Sequence, residues 1–217
     1  MLRSAKGGAR MSNDMPKKFL TVARSVRVRI PIGQCRFFAS VKEIKSELEA
    51  KSFIEEVSQE FADATHNAWA YKVGFGDQCI SRSSDDGEPV NTAGPPMLQA
   101  IEGKGLTNVV VVGTRYFGGV KLGVGGLIRA YRETALAGLA EAGVREEIIM
   151  VPAIIRNIDY ASLGDVLREV ESFRGNIDNI DYGEQVTVFA HIRPAVESEL
   201  KQRINDITRG QGELEVT

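Results

Sequence analysis

The chain has 217 residues, 43% hydrophobic and 26% charged, the balance of an ordinary globular protein and enough for one large domain or two small ones. A formal charge of −2 excludes a broadly basic nucleic-acid footprint, and the lack of any run of about 18 apolar residues excludes a helix across a membrane. Two cysteines, Cys35 and Cys79, are too few for a disulfide scaffold and lack metal-ligand spacing, so a reduced, cytoplasmic setting is expected.

In chain order, residues 1–15 are polar, basic and without the apolar core of a secretory signal. They read as a disordered arm in which Met1, Met11 and Met15 are alternative starts. Residues 19–32 (FLTVARSVRVRIPI) alternate with period 2 around VRVRI, which predicts a half-buried strand. CRFFASV is its hairpin partner, with Gly33 in the turn. EIKSELEAKSFIEEVSQEF predicts a helix, with Ala50, Phe53, Ile54 and Val57 at helical spacing. HNAWAYKVGF and QCISR predict two more strands, and a long loop follows, SRSSDDGEPVNTAGPPML. PPMLQAIEGKG is a short helix with proline in its first turn. TNVVVVGTRYF, apolar without alternation, predicts a central strand buried on both faces. GLIRAYRETALAGLAEAG is a long helix that stops at Gly143.

From about Val144 the order becomes strand (EEIIMVPAIIRNI), helix, strand, strand, helix, strand. That is the βαββαβ arrangement of a ferredoxin-like domain. The expected organisation is therefore α+β, with an arm over 1–15, a first domain over 16–143 and a second over 144–217. Charge differs between them. Residues 144–217 carry 14 acidic against 8 basic residues, and 32–143 carry 14 against 11. Any anion binding must then be local.

Two stretches could carry chemistry. Gly113–Tyr131, GTRYFGGVKLGVGGLIRAY, leaves a buried strand and opens a helix, a geometry that presents backbone N–H groups to an anion. Arg115, Lys121, Arg129 and Arg132 add positive charge, and no acid intervenes before Glu133. Neither GxxxxGK[ST] nor GxGxxG is present, so the glycines divide between tight packing and anion binding. The second stretch places Asp85, Asp86 and Glu88 within four positions around a strong Asp86-Gly87 turn signal. No calcium-loop spacing is present, and loop scaffolding is the leading reading, with the acids pairing against arginines of the glycine-rich segment. No metal and no cofactor are expected. His66, His191 and both cysteines read as structural.

The segments CRFFA (35–39), ATHNAWAY (64–71), SDDGEPVNTAGPPML (84–98) and RYFGGVKLGVGGLIRAY (115–131) together resemble the Impact/YigZ family in order and spacing. The resemblance covers nearly all of the chain past the arm. It implies a ribosomal protein S5 domain 2-like first domain, with helices against one sheet. It also implies a ferredoxin-like second domain similar to the last domain of the translocating elongation factor. Eukaryotic members restrain a starvation-responsive initiation-factor kinase by competing for its activator, through parts that include a further N-terminal domain missing here. The sequence departs from the family pattern at Gly33-Gln34-Cys35, where a Lys or Ser pair is common, and at Asn91, where Gly is usual.

The resulting expectation is a non-enzymatic binding protein linked to translation, meeting RNA or the ribosome. Its ligand site is expected to use Arg115, Tyr116, Phe117, Gly118, Gly119, Lys121, Gly125, Gly126 and Arg129, with the two aromatics stacking on a base. Ser84, Asp85, Asp86, Gly87, Glu88, Thr92, Gly94, His66 and Arg36 are the expected scaffold, with Asp86 and Glu88 orienting Arg115 or Arg129. Two other classes remain open: a protein-interaction module acting through the C-terminal sheet, and an enzyme on a phosphorylated small molecule. No membrane partner is expected.

Overall fold

The computed structural model describes residues 18–216, so the basic arm and its alternative starts lie outside the described residues. Two compact units divide the chain between Glu147 and Ile148.

In the first unit five antiparallel strands form one sheet in the order β2-β3-β6-β4-β5. They are β2 (Val26–Ile32), β3 (Cys35–Glu43), β4 (His66–Val73), β5 (Ile80–Ser84) and β6 (Val109–Tyr116). The central strand β6 explains the unbroken apolar run. Val109 and Val111 enter one buried cluster, and Val110 and Val112 enter another on the opposite face. Helix α1 (Glu47–Glu60) covers the second face with Ala50, Phe53 and Val57. Helices α2 (Gly94–Gly103) and α3 (Gly123–Ala142) cover the first. The sheet is thus clad on both sides.

Each helix follows from its sequence. Ser46 caps α1 by accepting from the Glu49 amide, and the Glu49 carboxylate reaches back to the Lys45 amide at 2.8 Å. On α3 the buried residues Leu127, Tyr131, Thr134, Ala135, Gly138, Leu139 and Ala142 fall on one stripe. Gly138 lets that stripe approach β3, since a Cβ there would lie 2.7 Å from the Ala39 Cβ.

The stretch expected as one strand over 19–32 divides in two. Strand β1 (Lys18–Val22) leaves the main sheet and pairs with β7 (Val144–Ile148). Thr21 and Val22 are fully buried there, so consecutive residues face inward and the alternation that marks β2 is absent. Likewise EEIIMVPAIIRNI is two strands, β7 and β8 (Val151–Ile158), interrupted at Ile149-Met150.

The second unit runs β8, α4 (Leu163–Ser172), β9 (Asn176–Asp181), β10 (Val186–Ile192), α5 (Glu197–Ile207) and β11 (Glu213–Val216). Its antiparallel sheet has the order β11-β8-β10-β9. Val166 and Val170 of α4 and Leu200 and Ile204 of α5 are buried with Ala153, Ile155, Val188 and Ala190 of the sheet. Among the described residues no helix is long and apolar enough to cross a membrane.

One prediction belongs to this core. The Tyr71 hydroxyl donates to Glu47 at 2.6 Å, tying β4 to α1. Burial, then that hydrogen bond and the Glu47 charge, push the phenol from 10.0 up to about 12. A raised folded pKa means stability that is complete below the unfolded value and is lost as pH rises through the folded one. The stability gap between the parent and Tyr71→Phe is therefore expected to stay constant below about pH 10 and to shrink between about 10 and 12. Urea unfolding at stepped pH checks it, and a gap that grows in that window contradicts it.

Candidate functional site

The site begins with strand periodicity. On β6, Val109, Val111, Gly113 and Arg115 share the face toward α2 and α3. In register, Arg115 stands between Phe37 of β3 and His66 of β4. The same period sends Tyr116 to the opposite face, where its hydroxyl bonds Asp63 and its ring takes the Arg36 guanidinium at 4.7 Å. That hydrogen bond, with smaller help from burial and the Asp63 charge, raises the Tyr116 pKa. Tyr116 and Arg36 therefore do not join Arg115.

Arg115 is 6% exposed and Glu88 7%. Nη1 of Arg115 donates to Glu88 Oε1 at 2.7 Å, and the Tyr131 hydroxyl donates to the same oxygen at 2.8 Å. Nη2 faces the Cys35 thiol at 3.7 Å, while Nε is buried with no partner among the described residues. Burial opposes the Arg115 charge, but the hydrogen bonds to Glu88 and Cys35 and the Glu88 charge outweigh it and raise its pKa. Burial, the Glu88 charge and their hydrogen bond push the Tyr131 phenol far above its ordinary value, so it remains a donor. The expected pairing of an acid with Arg115 is thus present through Glu88.

The other two acids act on backbone. Asp85 accepts from the amides of Asn91 at 2.7 Å and of Ala93 and Gly94 at 2.9 Å each, which closes the loop and caps α2. Asp86 accepts from the Asn67 amide at 2.5 Å and pairs with no arginine among the described residues. Its carbonyl takes the His66 Nδ1–H at 2.7 Å, which leaves His66 Nε2 at 3.9 Å from Glu88 Oε2. Asp86 and Gly87 both have positive φ, and Glu88 N bonds the Asp85 carbonyl, as a type I′ turn requires. Ser84 Oγ accepts from the Asp86 amide, and Thr92 donates to the Pro89 carbonyl. Asn91 sits at φ +62°, the left-handed conformation that glycine would otherwise supply. Gly94 admits the Ser84 backbone, which a Cβ would meet at 2.7 Å.

A cleft of about 430 Å³ opens beside this cluster. Thr65 and His66 line it at the start of β4, Glu88 and Pro89 from the loop, Arg115 and Phe117 at the end of β6, and Lys121 to Val124 and Leu127 around the start of α3. The first turn of α3 has no side-chain cap, and Lys121 forms no ion pair among the described residues. Leu122 is in the right-handed helical region and Gly123 has φ +69°, a pairing that turns successive N–H groups toward one side. Gly118 serves packing instead: a Cβ there would lie 2.0 Å from the Gln34 carbonyl oxygen.

Arg129 is exposed on α3 and is not part of the cleft lining, nor are Gly118, Gly119, Gly125 and Gly126. The sequence reasoning missed Thr65, Pro89, Leu122, Gly123, Val124 and Leu127. Leu127 stands one turn before Tyr131 on the buried stripe, and that spacing was the available signal. Chemically, the cleft offers amide donors, one unpaired ammonium and an apolar wall. Its buried carboxylate is already engaged by Arg115 and Tyr131.

The Impact N-terminal domain family matches residues 33–139, and a domain of unknown function (DUF1949) matches 157–211. The chain is 34% identical over 200 residues to the Bacillus subtilis protein named IMPACT family member YvyE, covering 92% of this chain and 91% of that one. It is 30% identical over 199 residues to IMPACT family member YigZ of Escherichia coli, covering 91% and 97%. Among solved structures, one titled a hypothetical protein is 30% identical, with TM-score 0.74 over 93% of this chain and 98% of its own.

Proposed function

Given that the chain belongs to the Impact family, we propose that it is a cytoplasmic RNA-binding protein acting in translation, contacting RNA or the ribosome through the cleft at the start of α3. The observation that carries this reading is the uncapped first turn of α3 beside the unpaired Lys121. Amide donors and an ammonium converge there on a space that fits a phosphate. Phe117, 46% exposed on the cleft wall, supplies a ring for stacking. Arg115 acts differently from the first expectation. Its charge is matched by Glu88, so it shapes the floor, and Lys121 supplies the net positive charge.

The fold supports this placement in two further respects. We read the 148–216 unit as ferredoxin-like, from its βαββαβ order and its sheet order β11-β8-β10-β9. We read the 19–147 unit as S5 domain 2-like, with α2 and α3 together on one sheet face. Both likenesses are to architectures found in the translation apparatus, an argument by analogy of fold.

The test uses purified protein with a single-stranded RNA and with ribosomes over a salt series. Lys121→Ala is expected to weaken binding and to make the salt slope shallower by about 0.7, the contribution of one phosphate contact on a single strand. Lys121 is exposed, so the fold should be untouched. Equal affinity and equal slope for the variant and the parent would overturn the assignment of the cleft.

A further inference from the structure

The shape and charge of the cleft restrict what part of an RNA it can take. We propose that it holds a terminal phosphomonoester together with its own nucleoside, and not an internal run of the strand. This rests on the reading of the cleft as an RNA site.

Three observations carry it. First, the positive charge is enough for a single phosphate. Arg115 is neutralised by Glu88, His66 gives Nδ1 to the Asp86 carbonyl, and Lys121 is the one lining cation without an ion pair among the described residues. Beyond the cleft, residues 32–143 carry more acidic than basic residues, 14 against 11. An internal strand places a singly charged diester at every step and needs a basic track to follow. A terminal monoester concentrates a charge of about −1.5 to −2 in one place at neutral pH. One ammonium plus the open N-terminus of the 20-residue α3 matches that concentration.

Second, a buried donor is left over. Nε of Arg115, on a side chain 7% exposed at the cleft, has no hydrogen-bond partner, and a buried donor is rarely left so. A monoester offers three terminal oxygens, enough to engage the α3 amides and Lys121, and a small shift of the Arg115 side chain that uncovers Nε gives the third a donor on the floor.

Third, the remaining wall is apolar and its size suits one nucleoside. Phe117, Pro89, Leu122, Val124 and Leu127 line a volume of about 430 Å³, at the lower end of the range for small-ligand pockets. Phe117 and Val124 are 46% and 59% exposed, apolar surface that a base would cover.

The same chemistry occurs on a free nucleoside monophosphate and on a phosphorylated RNA end, and the test separates them. Calorimetric titrations compare short oligoribonucleotides of one sequence with a 5′-phosphate, a 3′-phosphate or hydroxyls at both ends, alongside adenosine 5′-monophosphate. An end-phosphorylated oligonucleotide is expected to bind at least about tenfold tighter than the unphosphorylated one, and Lys121→Ala should erase that ratio. A second variant, Val124→Glu, places a carboxylate in the first turn of α3. There it stabilises the helix and repels a dianion, so loss of the ratio without loss of thermal stability supports the proposal and separates it from unfolding. Adenosine 5′-monophosphate binding as tightly as the phosphorylated oligonucleotide supports the site and names the free nucleotide as its source. If all three oligonucleotides bind alike and Lys121→Ala weakens them equally, the cleft binds RNA and the end-recognition proposal is overturned. If none binds, both readings fall.

Discussion

Glu88→Ala is expected to destabilise the 19–147 unit by about 3–5 kcal/mol, the cost of leaving a buried charge without its partner. Arg115 is 6% exposed, so little water reaches its guanidinium to replace Glu88. The Tyr131 hydroxyl loses its acceptor in the same step. The double change Glu88→Leu with Arg115→Met removes both charges together and is expected to be much milder, since an apolar pair of similar volume is often neutral or stabilising in such a place. Urea unfolding of the parent, Glu88→Leu, Arg115→Met and the double variant forms a cycle that isolates the pair. A loss below about 1 kcal/mol for Glu88→Ala would place the pair among solvent-screened surface bridges and contradict its burial.

The second large effect is expected at Asp85. Asp85→Ala strips the acceptor from three amides, those of Asn91, Ala93 and Gly94. Ala93 is fully buried and Gly94 is buried, so their amides lose the acceptor with little water to replace it, while the exposed Asn91 amide turns to solvent. A lost cap and orphaned buried donors together cost about 3 kcal/mol. Asp85→Asn keeps one oxygen toward the amides and should recover part of that loss. The same loop carries Glu88 and Pro89 to the cleft, so RNA affinity should fall with Asp85→Ala at temperatures where the protein is still folded. Unchanged unfolding of Asp85→Ala would show that another group closes the loop.

Much of this arrangement was legible in the residues, for reasons that differ from place to place. The run VVVV in β6 announced burial on two faces, and the sheet provides it with α1 on one side and α2 and α3 on the other. The βαββαβ order of the second unit could be read from periodicity alone. Where the chain changes sheets, the pattern was silent. β1 and β2 are near neighbours in sequence, and nothing local announces that Thr21 and Val22 leave the main sheet to pair with β7.

At the site, the sequence identified the two stretches that meet but not how their charges divide. Glu88 meets Arg115, whereas Asp86 holds the Asn67 amide and His66. Three acids within four residues look equivalent in sequence. The register of β4 against β6 sets His66 beside Arg115, and the turn over Asp85–Glu88 brings Glu88 rather than Asp86 to the guanidinium. Tyr116 and Arg129 were excluded from the cleft by simple geometry, the first by strand alternation and the second by lying off the buried stripe of α3. The glycines proved to be of two kinds. Gly118 makes room for backbone, while Gly123 supplies a positive φ in the cleft lining.

Binding of an RNA phosphate at the start of α3, as proposed above, leaves a direct signature on the amides there. The most direct measurement is an amide NMR titration of the protein with a 5′-phosphorylated oligoribonucleotide. The largest shifts are expected on Lys121 to Gly125 and on Phe117, with the His66 ring responding. Shifts confined to the 148–216 unit, or none at all on the first turn of α3, would contradict it.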